Sequence, residues 1–140
     1  MEKPDWDASL AVGNKAMDME HRIQVSLVQA MEEAIRSSDR DGHLRQVVTQ
    51  LYDYTSAHFL AENLLMRLQA YPEYEAHSAD HDRFVALLEE LVRTVEEGEP
   101  RLSLETTGSL RSWLSVHIQG MDRRLSSFVA ERATPALRRA

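Results

Sequence analysis

The chain has 140 residues, of which 43% are hydrophobic, and it contains five glycines, four prolines and no cysteine. This length suffices for one compact domain and is too short for two ordinary ones, so we expect a single domain over residues 1–140. A formal net charge of −7 disfavours nucleic acid and anionic membrane surfaces as partners. Because cysteine is absent, any bound metal must be held by nitrogen and oxygen atoms.

The apolar segments are short. None approaches the roughly 20 residues that a membrane-spanning helix needs. The first residues, Met1-Glu2-Lys3-Pro4-Asp5, lack the basic and then apolar pattern of a secretory signal. We therefore expect a cytoplasmic protein, and a monomer.

An arm without helical periodicity opens the chain. It covers about residues 1–17 and contains Pro4 and Trp6. Asp18 follows it and is a suitable N-cap for a first helix. That helix is predicted over about residues 18–37, because apolar residues recur there at steps of three and four.

Three further amphipathic stretches follow, separated by segments rich in Gly, Ser, Asp or Pro. The helices predicted there cover about residues 44–70, 73–96 and 104–131. Four helices joined by short connections favour antiparallel neighbours. We therefore predict an all-α fold, an antiparallel up-down-up-down four-helix bundle with a non-helical N-terminal arm.

Five of the six histidines occur where the apolar pattern points inward. They are His21, His58, His77, His81 and His117. His58 and Glu62 are four residues apart, as are His77 and His81, so each pair shares one helix face. The sixth, His43, has polar neighbours and is expected at the surface.

The fourth helix supplies His117 and Asp122, which are five residues apart rather than four. On a regular helix that step separates two side chains by about 140°. Either Asp122 reaches across, or the helix widens locally into a π-type turn, which often marks a functional site. Burying five imidazoles and two carboxylates costs several kcal/mol unless every polar atom finds a partner. Metal ligation would satisfy them together.

These positions together resemble the ligand pattern of hemerythrins, in particular bacterial ones. The pattern reads His21, His58-Phe59-Leu60-Ala61-Glu62, His77-x-x-x-His81 and His117-x-x-x-x-Asp122. Flanking segments agree, and the similarity covers about residues 6–128. One departure is Asn63, where many relatives have a second acidic residue. We expect this side chain to point away from the site.

The resemblance implies a non-haem centre with two iron ions. Its ligands would be His21, His58, Glu62, His77, His81, His117 and Asp122. Glu62, Asp122 and an oxo or hydroxo group would bridge the irons, one held also by His77, His81 and His117 and the other by His21 and His58. With about six places per iron, these groups leave one place open. The resemblance assigns it to dioxygen on the iron with two histidines.

Holding dioxygen requires a lining that keeps water and reductants away. Candidates for this lining are Trp113, Ile118, Phe59, Val25 and Trp6. For each of them, ordinary core packing is an equally good interpretation.

The resemblance thus implies reversible dioxygen binding, for transport or storage, rather than an enzymatic reaction. An oxygen-consuming enzyme is then a candidate partner. An oxygen, redox or iron sensor with the same site is the main alternative, although we expect no attached output domain. A di-iron oxidase or peroxidase of the ferritin-like class is a further one, but such sites use Glu-x-x-His motifs, and none occurs here. Zinc or manganese would also suit these ligand types.

Overall fold

The structure, a computed structural model, describes residues 8–37 and 42–132. Over these ranges five α-helices and two short helical turns follow one another. They are a 3₁₀ turn (Ala8–Leu10), α1 (Lys15–Arg36), α2 (Gly42–Leu68), α3 (Tyr74–Glu96), α4 (Pro100–His117), a π-turn (Ile118–Asp122) and α5 (Arg123–Arg132). Because α4, the π-turn and α5 follow without a break, they form the fourth rod of the bundle.

The four rods pack in a square. α1 contacts α2 and α4, and α3 contacts the same two helices from the other side. Short connections between successive helices make neighbours antiparallel. The four-helix bundle predicted from the sequence is confirmed. Among the described residues, no helix has the length and apolar character needed to cross a membrane.

The first helix begins earlier than the sequence suggested. Its N-cap is Asn14, whose Oδ1 accepts a hydrogen bond from the Met17 N–H at 3.1 Å. Asp18, the predicted cap, instead accepts the Val12 N–H at 2.8 Å and so ties the preceding segment to the first turn. That segment also contains the 3₁₀ turn, in which Leu10 is buried. The prediction of a non-helical arm to residue 17 is therefore wrong at its C-terminal end.

Two backbone positions with positive φ mark the corners at either end of α3. Ala70 has a φ of 52° and Gly98 a φ of 71°. Gly98 follows the last turn of α3, where only a residue without a side chain adopts this conformation at little cost. Pro100 then occupies the first turn of α4, where its missing N–H needs no partner. This places the start of α4 four residues before the predicted position.

The apolar core forms two clusters. The larger one contains fully buried side chains from all four rods, such as Met31, Leu51, Phe84 and Leu110. The smaller one contains Met17, Met66, Tyr71 and Leu125 at the other end of the bundle. Along each rod, the predicted histidine and carboxylate positions lie where the larger cluster gives way to the smaller one, with Phe59 and Ile118 of the larger cluster interleaved among them. The bundle therefore has a polar layer enclosed between two apolar ones.

Candidate metal centre

All seven predicted ligands lie in this polar layer and are buried. None has more than 6% of its surface exposed. Their potential ligand atoms form two groups, each with members within 4.8 Å of one another. One group contains Glu62, His77, His81, His117 and Asp122, and the other contains His21, His58 and Glu62. Glu62 belongs to both groups.

The two oxygens of Glu62 face different histidines. Oε1 lies 3.1 Å from His77 Nε2 and 2.9 Å from His81 Nε2. Oε2 lies 3.5 Å from His58 Nε2, one helical turn away on the same helix. The carboxylate is thus placed between α3 on one side and the α1–α2 side on the other.

The two oxygens of Asp122 also face different histidines. Its Oδ1 lies 3.0 Å from His77 Nε2 and 3.1 Å from His117 Nε2. Its Oδ2 lies 2.8 Å from His21 Nε2. Each carboxylate therefore offers one oxygen to the group of His77, His81 and His117, and the other oxygen to the pair of His21 and His58.

The π-turn makes the Asp122 contacts possible. It spans Ile118–Asp122, directly after His117. A turn closed by hydrogen bonds between residues five apart brings the fifth residue back to the face of the first. Of the two alternatives left open by the sequence, the widened turn is therefore confirmed.

Opposite charges lie close together in this layer. Burial disfavours an ionised Asp122, but the close approach of His117, His21 and His77 outweighs it and holds the pKa of this carboxyl well below its usual value. Burial likewise disfavours a charged His77, yet Asp122 and Glu62 raise the pKa of His77 to about 9. At neutral pH, without metal, the layer therefore holds an ionised aspartate beside a protonated histidine.

Several buried polar atoms nevertheless have no hydrogen-bond partner among the described residues. Nε2 of His21, His58 and His117, Oε2 of Glu62 and Oδ1 of Asp122 are among them. These atoms lie close to one another without the geometry of a hydrogen bond, although unpaired buried polar groups are costly. A cation between them would satisfy nitrogen and oxygen atoms at once.

His81 shows the same fit most clearly. Burial lowers the pKa of His81, so the ring is neutral and carries one proton. Its Nδ1 lies 3.0 Å from Asn63 Oδ1 and its Nε2 lies 2.9 Å from Glu62 Oε1, so an acceptor faces each nitrogen. One proton cannot serve both. A metal ion at Nε2 removes the conflict, so the residues present fit a metal centre.

Three outward contacts of the histidines were not predicted. Glu20 accepts from His58 Nδ1 at 2.5 Å, and Asp80 accepts from His117 Nδ1 at 2.8 Å. Asn63 contacts His81 Nδ1 directly, so the expectation that it points away from the site is wrong. Such partners orient ligand histidines. Glu20 and Asp80 do directly precede His21 and His81, but nothing in the sequence shows which histidine each one contacts.

Aromatic rings cover one side of the layer. Phe59 stacks on His81 with ring centres 3.9 Å apart, and Trp113 stacks on His117 at 4.4 Å. Phe84 packs against both Phe59 and Trp113. Two of the three predicted lining aromatics, Phe59 and Trp113, thus lie against histidines of the larger group.

The other predicted lining residues are placed differently. Ile118 is fully buried in the larger apolar cluster, and Val25 packs against that cluster while partly exposed. Trp6 lies outside the described residues. His43 is exposed, as predicted.

Comparison with known proteins agrees with this geometry. Residues 12–129 match the family described as the hemerythrin HHE cation binding domain. The chain is 28% identical over 131 residues to the bacteriohemerythrin of Ralstonia nicotianae, covering 94% of this chain and 92% of that protein. It is 31% identical over 117 residues to the bacteriohemerythrin of Stenotrophomonas maltophilia, covering 84% and 75%.

A solved structure is also similar. The crystal structure of a wild-type hemerythrin superposes with a TM-score of 0.79 at 25% identity, covering 89% of this chain and 96% of that one. The matched range, residues 12–129, contains every residue of the buried layer, from His21 to Asp122. The cluster of histidine, glutamate and aspartate side chains fits a non-haem iron site, and the chain belongs to the hemerythrin HHE cation-binding family.

Proposed function

We propose that this protein binds dioxygen reversibly at a centre of two iron ions, and that it serves as a carrier or store rather than as an enzyme. This proposal rests on how the two carboxylates are placed, because each directs one oxygen to each group of histidines. Oε1 of Glu62 and Oδ1 of Asp122 face the larger histidine group, whereas Oε2 and Oδ2 face His58 and His21. Such a division suits two metal ions that share both carboxylates.

The two sets of histidines would then give their iron ions different numbers of ligands. His77, His81 and His117 would hold one iron, and His21 and His58 would hold the other. With two shared carboxylates, the second ion has one fewer protein ligand. That difference supports placing dioxygen on the side of His21 and His58. Two ferrous ions bound there would supply the electrons that dioxygen accepts on binding and returns on release.

The chain contributes exclusion of water and fixed ligand orientation. His21 is fully buried and His58 is 6% exposed, so the proposed dioxygen side has little contact with bulk solvent. Glu20 and Asp80 accept from the outer nitrogens of His58 and His117 and leave both inner nitrogens free for metal. Both apolar clusters hold the rods at fixed spacing around the layer.

The test uses the full chain, loaded with ferrous iron under anaerobic conditions. Its visible spectrum is recorded before exposure to air, after exposure and after purging with inert gas, and iron is counted per chain. We expect two irons and a band that appears and disappears over repeated cycles. Irreversible conversion to the ferric form, with release of peroxide, would contradict a carrier and favour a sensor or an oxidase. One iron per chain would contradict the bridged pair.

A further inference from the structure

The groups that accept the three outward hydrogen bonds of the buried histidines differ in charge. His58 and His117 each contact a carboxylate, from Glu20 and Asp80. His81 contacts the amide of Asn63 at 3.0 Å. A carboxylate only accepts, so it fixes the proton on Nδ1 of its histidine. An amide can accept or donate, so its orientation decides the tautomer of His81.

The structure shows one orientation of this amide. Asn63 Nδ2 donates to Ser78 Oγ at 3.4 Å, and Asn63 Oδ1 lies 3.0 Å from His81 Nδ1. The Ser78 hydroxyl can accept or donate, and here it accepts. His81 must then donate from Nδ1, leaving the lone pair of Nε2 directed at the centre. A reversed amide would donate to Nδ1 instead and place the proton on Nε2, which lies 2.9 Å from Glu62 Oε1. That tautomer could not bind a metal through Nε2.

The ring of His81 cannot turn away to escape this arrangement. Phe59 stacks on it with an interplanar angle of 8°, and the His77 and His117 rings lie 4.7 Å and 5.0 Å away, between centres. The side chain is 2% exposed. Packing therefore fixes the plane of the ring, and the partner of Nδ1 sets where its proton lies.

We propose that Asn63 is a positioning residue that holds His81 in the metal-binding tautomer and, as a neutral acceptor, keeps it a weaker electron donor than His117. This rests on the proposed metal site. A carboxylate partner strengthens the basicity of a ligand histidine, whereas an amide withholds that effect. Asn63 thereby favours the reduced metal and holds the reduction potential above the value that an aspartate would give.

The first test uses zinc. This ion is diamagnetic, and its binding can be measured without iron or dioxygen. Nitrogen-15 NMR of the zinc-loaded chain should show a proton on Nδ1 of His81. Asn63→Leu removes the acceptor at similar size and should lower zinc affinity by about 10-fold or more, while Asn63→Asp should retain it. A proton on Nε2 in the loaded wild type, or unchanged affinity in Asn63→Leu with the fold intact by circular dichroism, would overturn the proposal.

The second test uses the iron-loaded chain and its midpoint potential. Asn63→Asp should lower this potential, whereas Gln50→Glu, which adds the same charge at an exposed position of α2, should leave it close to wild type. Equal shifts of the midpoint potential in both variants would show that the effect comes from overall charge, and would contradict a role for Asn63. Failure of reversible dioxygen binding, with the zinc results as expected, would overturn the proposed function and leave this inference standing.

Discussion

Asp122 Oδ1 lies 3.1 Å from His117 Nε2, although the two residues are five positions apart on one continuous helical rod. The π-turn at Ile118–Asp122 accounts for this contact, because it returns the fifth residue to the face of the first. Without it, one carboxylate of the buried layer would leave the site. The predictions below test this turn, the shared carboxylates, the attachment of the N-terminal segment and the protons of the layer.

The π-turn should not depend on the backbone freedom of Gly120. Its φ is not positive, and a Cβ added there would meet only Arg124 Nη1 at 3.9 Å, an ordinary contact. Gly120→Ala should therefore raise the free energy of unfolding by about 0.4–1 kcal/mol without changing the number of metals bound. Gly98→Ala is the matched control, because a φ of 71° strains any side chain and should destabilise by about 1 kcal/mol. Destabilisation by Gly120→Ala in urea unfolding would show that the turn needs glycine.

Glu62 should be required for the binding of both metals, because it belongs to both ligand groups. Glu62→Gln keeps the shape of the side chain and removes its charge, so fewer than two irons per chain should remain after gel filtration. Glu73→Gln is the control, since Glu73 is about half exposed and pairs with Arg124 at 3.3 Å on the surface. Retention of two irons in Glu62→Gln would exclude the bridging role.

Arg123 should stabilise the π-turn from outside. Its Nη2 donates to the carbonyls of Ser9 at 2.7 Å and Ala11 at 2.9 Å, which fastens the N-terminal segment across the residue next to Asp122. Loss of these bonds in Arg123→Met should cost about 1 kcal/mol of unfolding free energy and weaken zinc binding. Isothermal titration with zinc and thermal unfolding measure the two effects.

The neighbouring arginine provides a control with the same change of charge. Arg124 pairs with the exposed carboxylate of Glu73 and interacts with the Tyr71 hydroxyl, and neither partner belongs to the N-terminal segment, so Arg124→Met should cost at most about 1 kcal/mol and leave zinc binding unchanged. If both variants weaken zinc binding equally, the effect comes from charge, and the attachment of the N-terminal segment does not position Asp122.

Metal binding should release protons. The carboxylates of Asp122 and Glu62 outweigh burial and raise the pKa of His77 to about 9, so this ring is protonated in the metal-free chain at pH 7. A ligand histidine must be neutral. Zinc affinity should therefore rise with pH up to about 9, with release of at least one proton per chain at pH 7. Calorimetry in buffers of different ionisation enthalpy measures the release, and heats independent of buffer would contradict it.

Local periodicity made most of the fold predictable. Apolar residues at three- and four-residue steps define each helix, and histidines within those stripes, such as His58 and His81, had to face the core. The start of α1 was predicted wrongly, because both Asn14 and Asp18 are good caps and only the packing of the preceding segment uses Asp18 to bind Val12.

The sequence by itself determined the kinds of ligand, the helix faces that carry them and the need for an adjustment between His117 and Asp122. Those are consequences of spacing along one helix. Tertiary structure alone decided which oxygen of Glu62 or Asp122 faces which histidine. It also decided that Glu20, Asp80 and Asn63 contact the outer nitrogens of three of the buried histidines. These partners are 18 to 38 residues apart and lie on different helices, so their contacts depend on the rotation and height of each rod in the bundle.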